Sequence, residues 1–168
     1  MMPMNPTSSW FAIRVLLLPA LLVGGVHAVS GVPLALHVSG TTLVDSSGAV
    51  VVLHGVNIPS LETQNTGEGP PPGGSEGLLA SVDEVIQNWH VNLVRLPICQ
   101  DRWEGKAPVD HFGIANNADA YRAIVDRVVA KAAAAGVYVL VDMHWSDAGV
   151  WGKNLGQHKM PDDNTATA

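Results

Sequence analysis

The 168-residue sequence has one cysteine, Cys99, few aromatic residues (5%), few charged ones (14%), and no cluster of lysine and arginine. A lone cysteine excludes an internal disulfide, so Cys99 is either a buried thiol or has its partner outside this chain. No histidine stands beside it in sequence to create an activated thiolate, which favours the structural role. The net charge of −6 and the missing basic cluster exclude a nucleic-acid surface, which needs a concentrated positive field to meet phosphates. No Gly-x-Gly-x-x-Gly and no His-Glu-x-x-His occurs, which disfavours a dinucleotide cofactor and a paired-histidine zinc site. A neutral substrate fits this composition, and no cofactor is expected.

What is present begins with Arg14 and the apolar run Val15 to Val23, which ends in small residues and Val26-His27-Ala28. This is the pattern of a signal peptide, with cleavage expected after Ala28. The run is shorter than the roughly 20 residues that span a bilayer as a helix, and Pro19 interrupts it, so a retained anchor is the weaker alternative. Residues 1–28 thus predict a secreted protein, extracellular or periplasmic, with no membrane contact after cleavage. The 47% hydrophobic content is enough to build a core in residues 29–168.

Short β-type runs at Ala35–Val38 and Thr42–Val44, with a turn at Ser46-Ser-Gly48, predict a hairpin leading into a strand over Ala49–His54. The uninterrupted apolar segment Val50–Leu53 suits a parallel strand covered on both faces. A Gly- and Pro-rich loop, Asn65–Gly74, follows. Ser81-Val-Asp-Glu84 has capping-box spacing, and Val82, Val85, Ile86 and Trp89 mark one face of a helix. Val91–Pro97 predicts a second strand, Tyr121 to Ala132 a second helix ended by Gly136, and Val137–Asp142 a third strand. Alternating β and α units imply a parallel sheet in an α/β fold, either doubly wound or a (β/α)8 barrel.

In either architecture ligands collect at the carboxyl ends of the strands. The residues there are His54, Asn57 and Glu62 after the first strand, Arg95 on the second, and Asp142, His144, Trp145 and Asp147 after the third. Arg95 lies between Leu93-Val94 and Leu96, where an unpaired guanidinium is costly, so a carboxylate or several acceptors must meet it. Asp142, His144 and Asp147 admit a metal site as a minority reading. His144 admits either a wall of a sugar pocket or a satisfied structural histidine. Trp145 and Trp151, with Trp103 in another strand-end loop, offer apolar faces and N–H donors suited to a pyranose, although such residues can also cap a core.

Three segments then stand together: Val52-Leu-His-Gly-Val-Asn57, Val91-Asn-Leu-Val-Arg-Leu-Pro97 and Val141-Asp-Met-His-Trp-Ser-Asp-Ala-Gly149. Their order and spacing resemble successive strand ends of glycoside hydrolase family 5, the cellulase family, and the likeness runs from about Leu36 to Pro161. It implies the first three βα units of a barrel preceded by a β-hairpin. It further implies a monomeric retaining β-glycosidase of the endoglucanase kind, acting on a cellulose or β-glucan polysaccharide or oligosaccharide without metal or organic cofactor. By the same resemblance Arg95 supports the nucleophile, His144 lines the subsite where the bond breaks, and Asn57, Glu62, Trp145 and Trp151 bind substrate.

The family's acid/base glutamate follows an Asn in Asn-Glu-Pro after the fourth strand, and its nucleophile follows the seventh. The five glutamates here, Glu62, Glu68, Glu76, Glu84 and Glu104, are never preceded by Asn. No catalytic residue is therefore expected in this chain. A whole barrel takes about 250 residues, so the chain is expected to be the first part of one. Its last strand would then carry unpaired edge groups that favour association or partial unfolding.

Overall fold

The computed structural model describes residues 31–68 and 74–146. The expected signal peptide, Asp147 and Trp151 lie outside the described residues.

The chain enters through a hairpin, β1 (Leu36–Ser39) against β2 (Thr42–Asp45), antiparallel with Leu36 opposite Asp45. Asp45 shapes the next turn: its Oδ1 accepts the Ser47 hydroxyl at 2.6 Å and the N–H groups of Ser47 and Ala49 at 2.8 and 3.0 Å. These bonds, the Ser47 hydroxyl first, hold the carboxyl below its ordinary pKa. Three parallel strands follow, β3 (Gly55–Asn57), β4 (Leu93–Cys99) and β5 (Tyr138–Trp145), in the order β3-β4-β5. Helix α1 (Gly74–Gln87) joins β3 to β4, and α2 (Gln100–Trp103) and α3 (Ala118–Ala134) join β4 to β5.

Period-2 alternation sorts the sheet into two faces. Val94, Leu96 and Ile98 of β4 are buried with Leu78, Val82 and Val85 of α1 and Tyr121, Val125, Val128 and Ala132 of α3. The other face carries Asn57 in register with Arg95, Arg95 with Leu140, and Pro97 with Asp142. The helices thus cover one side and leave the polar residues on the other. Asn117 caps α3, its Oδ1 accepting the Ala120 N–H at 3.0 Å, and Gly136 ends the connection at φ 73°.

Several sequence expectations are corrected. The first parallel ladder starts at Gly55, and Val50 and Val52 are 64% and 75% exposed instead of covered on both faces. β2 and Asn92 explain the shift. Val50 bridges Val44 of β2 antiparallel and the Val51 N–H donates to the Leu43 carbonyl at 2.9 Å, while the Asn92 side chain accepts the His54 N–H and donates to the Val52 carbonyl, both at 2.8 Å. Ser81 sits inside α1 and not at its start, and its hydroxyl donates to Glu68 Oε2 at 2.6 Å, so Ser81-x-x-Glu84 is no capping box. Trp89 lies beyond the helix and is 62% exposed. The short helix α2 has no period long enough to be read from sequence. Among the described residues, no helix is long and apolar enough to cross a membrane.

Gly55 marks a close approach, because a Cβ there would stand 2.1 Å from the Leu93 carbonyl oxygen. Gly55→Ala is expected to lower stability by at least the ~1–3 kcal/mol typical of overpacking. A urea midpoint equal to that of the unsubstituted chain would refute this.

Candidate active site

Arg95 is the hub of the polar face. Its Nη1 donates to Asn57 Oδ1 and its Nη2 to Asp142 Oδ2, so residues of β3, β4 and β5 meet in one cluster. The partner that an arginine on an apolar strand requires is therefore Asp142. The Arg95 and Asp142 side chains are each about one-third exposed, at 32% and 31%, which leaves the pair open to solvent and to a ligand. His144 completes the group, with Nδ1 at 3.0 Å from Arg95 Nη2 and 3.0 Å from Asp142 Oδ2.

The register of β4 against β5 shifts here: Ile98 faces Met143 while Cys99 faces Trp145, so His144 is the extra residue of a bulge. Such bulges re-aim side chains beside functional sites. Trp145, half-buried, follows directly at the same strand end. A metal ion bound by Asp142 and His144 would have to share them with the guanidinium already seated there, and electrostatic repulsion opposes that arrangement. Among the described residues, no group of three or more His, Cys, Asp or Glu is placed to hold a metal.

Glu62 does not join this cluster. It is buried, and its Oε2 accepts the Ser60 N–H at 2.8 Å. It belongs to a second polar network around Arg102, which is 3% exposed. Arg102 donates to the carbonyls of Glu62 and Thr63, at 3.4 and 2.9 Å, and to Asn65 Oδ1. Asn65 donates its backbone N–H to Asp110 Oδ2 at 3.0 Å and its amide to the carbonyls of Pro108 and Ile114, at 3.1 and 2.8 Å. One guanidinium, one amide and one carboxylate thus fasten the loop after β3 to the loop after α2. Sequence reading missed this network because the Arg102 partners lie 37 to 40 residues away. The buried polar residues Asn65 and Asp110 gave no periodic signal.

Cys99 is fully buried, and desolvation pushes its thiol up in pKa, away from a reactive thiolate. Its N–H donates to the Tyr121 hydroxyl at 3.1 Å, which donates to the Leu61 carbonyl at 2.7 Å. Burial likewise raises the Tyr121 phenol. Tyr121→Phe would orphan both backbone groups and is expected to cost roughly 1–3 kcal/mol, seen as a lower urea midpoint with an unchanged slope. Trp103 is partly buried against the core, and Arg122 lies 5.9 Å from its ring centroid and donates to its carbonyl. Trp103 thus packs part of its side chain against the core.

A sequence model of cellulase (glycosyl hydrolase family 5) matches residues 44–168. A major extracellular endoglucanase of Xanthomonas campestris pv. campestris is 35% identical over 113 residues, which are 62% of this chain and 22% of that protein. The solved catalytic domain of the major endoglucanase from the same organism superposes with a TM-score of 0.50 at 30% identity, covering 68% of this chain and 34% of that one. An endocellulase from Pyrococcus horikoshii, solved in complex with cellotetraose, gives a TM-score of 0.50 at 25% identity over 71% of this chain and 33% of that one. The chain therefore spans 22% of the length of the curated relative that it matches. The family match over most of the chain and the strand-end cluster converge, and this chain belongs to the cellulase family, glycosyl hydrolase family 5.

Proposed function

We propose that this chain forms part of the substrate-binding face of a secreted, retaining glycosidase that hydrolyses β-linked glucan, endoglucanase-like in action. The observation that carries it is the convergence of Asn57, Arg95, Asp142 and His144 across three adjacent parallel strands, with Asn57 and His144 at or next to the carboxyl ends, where barrel enzymes place their ligands. The extracellular relative is consistent with export through residues 1–28. In this reading Arg95 supports the nucleophile, His144 lines the bond-breaking subsite, and Asn57, Trp145 and Trp151 contact sugar. Glu62, which faces Ser60, takes part by shaping its loop.

A retaining glycosidase needs two carboxyl groups about 5–5.5 Å apart, one as acid/base and one as nucleophile. Glu62, Glu68, Glu76 and Glu84 are committed to Ser60, Ser81, Arg127 and Asn88. Glu104 also stands outside the Arg95 cluster, and none of the five glutamates follows an Asn as the family's acid/base does, so this reading assigns the pair to polypeptide outside these 168 residues.

The test is reducing-end release from carboxymethylcellulose. Polypeptide that extends through both carboxylates is expected to hydrolyse it, and this chain alone is expected to match the buffer blank. Hydrolysis by this chain alone would overturn the assignment of the missing pair. Tryptophan quenching by cellotetraose with no hydrolysis by the longer polypeptide would favour a non-catalytic carbohydrate-binding protein.

A further inference from the structure

We propose that Asp142 is a positioning residue that holds neutral His144 in the Nδ1–H tautomer, so that Nε2 presents a lone pair to a sugar hydroxyl. The sugar in this statement rests on the glucan reading above; the tautomer does not. His144 Nδ1 stands 3.0 Å from two groups of opposite character, Asp142 Oδ2 and Arg95 Nη2. A carboxylate only accepts and a guanidinium only donates, so one ring nitrogen cannot satisfy both. A bare Nδ1 would set its lone pair against a carboxylate oxygen. A protonated Nδ1 instead makes a charge-assisted bond, roughly twice as strong as a neutral one.

The arginine does not need the imidazole. One Nη1 N–H is met by Asn57 Oδ1 and one Nη2 N–H by Asp142 Oδ2, so the guanidinium is anchored at both ends without the imidazole, and the same carboxylate oxygen has a lone pair left for the histidine. The proton on Nδ1 fixes the other end of the ring. The His144 side chain is 47% exposed, and its Nε2, which bonds no group among the described residues, accepts a hydrogen bond where the opposite tautomer would donate one. Arg95 and Asp142 cancel in charge, so the cluster with neutral His144 suits an uncharged hydroxylated ligand.

The experiment is a 15N spectrum of the full chain labelled with 15N-histidine, taken by magic-angle spinning so that soluble and associated samples are read alike. It is run at about pH 8, above the ordinary histidine pKa of roughly 6.5, and the His144 signals are those lost in His144→Gln. The expected result is a protonated Nδ1 and an unprotonated Nε2. In Asp142→Ala the acceptor is gone while an Arg95 Nη2 N–H still faces Nδ1, so Nδ1 should lose its proton and the two signals should exchange. Asn57→Ala, which removes a group bonded to Arg95 and not to His144, should leave them in place.

A protonated Nε2 in the unsubstituted chain would overturn the proposal, and so would an unchanged Nδ1–H in Asp142→Ala. Should that variant not fold, the unsubstituted spectrum decides alone. The expected tautomer together with no cellotetraose binding would sustain the role of Asp142 and overturn only the glucan reading.

Discussion

Arg102→Ala is expected to destabilise the chain by at least ~3 kcal/mol, the lower end of the cost of breaking a buried charged network. The substitution removes the donor to Glu62 O, Thr63 O and Asn65 Oδ1, and each buried acceptor left unmet costs about 1–3 kcal/mol. It also empties the volume of a side chain that is 3% exposed. With domain stabilities of about 5–15 kcal/mol, such a loss is a large part of the whole. Arg102→Lys keeps the charge but cannot reproduce the fork, so partial recovery is expected. Urea unfolding gives the magnitude, and amide exchange gives the location: Asn65 and Ile114, whose N–H groups bond Asp110, should lose protection first. A midpoint for Arg102→Ala within experimental error of the unsubstituted chain would refute this account.

Arg95→Ala carries the largest expected effect on activity. In the longer polypeptide with both carboxylates, removing a preorganised charge that acts on the reaction should lower kcat by ~10²–10³. Stability should move far less, because the Arg95–Asp142 pair is about one-third exposed and solvent screens it. Arg95→Lys should recover little, since a lysine ammonium is a point charge and cannot span Asn57 and Asp142 as the fork does. Turnover of carboxymethylcellulose, measured beside a urea midpoint, separates the two effects. A variant with unaltered kcat would remove Arg95 from the machinery.

The same two arginines show what could be read from sequence. Arg95 announced itself because it interrupts the apolar run Leu93–Leu96, a local contrast whose cost demands a partner. Arg102 has no such frame, and its environment exists only once the loops after β3 and α2 meet. The hairpin, both main helices and the β4 and β5 strands followed from local periodicity, with strand boundaries displaced by up to three residues and the start of α1 lying at Gly74 instead of at Ser81. The first parallel strand was misplaced because a continuous apolar run states burial but not pairing. Pairing there is shared between β2, which Val50 and Val51 meet antiparallel, and Asn92, whose side-chain bonds reach 38 and 40 residues along the chain.

By itself, then, the sequence determined the β/α alternation, the family motifs, and the placement of Asn57 and His144 at strand ends, whereas Arg95 lies within β4. These depend on residue type and on the periods of 2 and 3.6 that any local segment carries. Only the tertiary structure decided that Asp142 is the partner of Arg95, that a bulge carries His144 to both of them, and that Glu62 turns to its own loop. The reason is physical. Burial patterns are written in neighbouring residues, whereas a hydrogen bond between strands or loops requires the register that the whole packed sheet imposes.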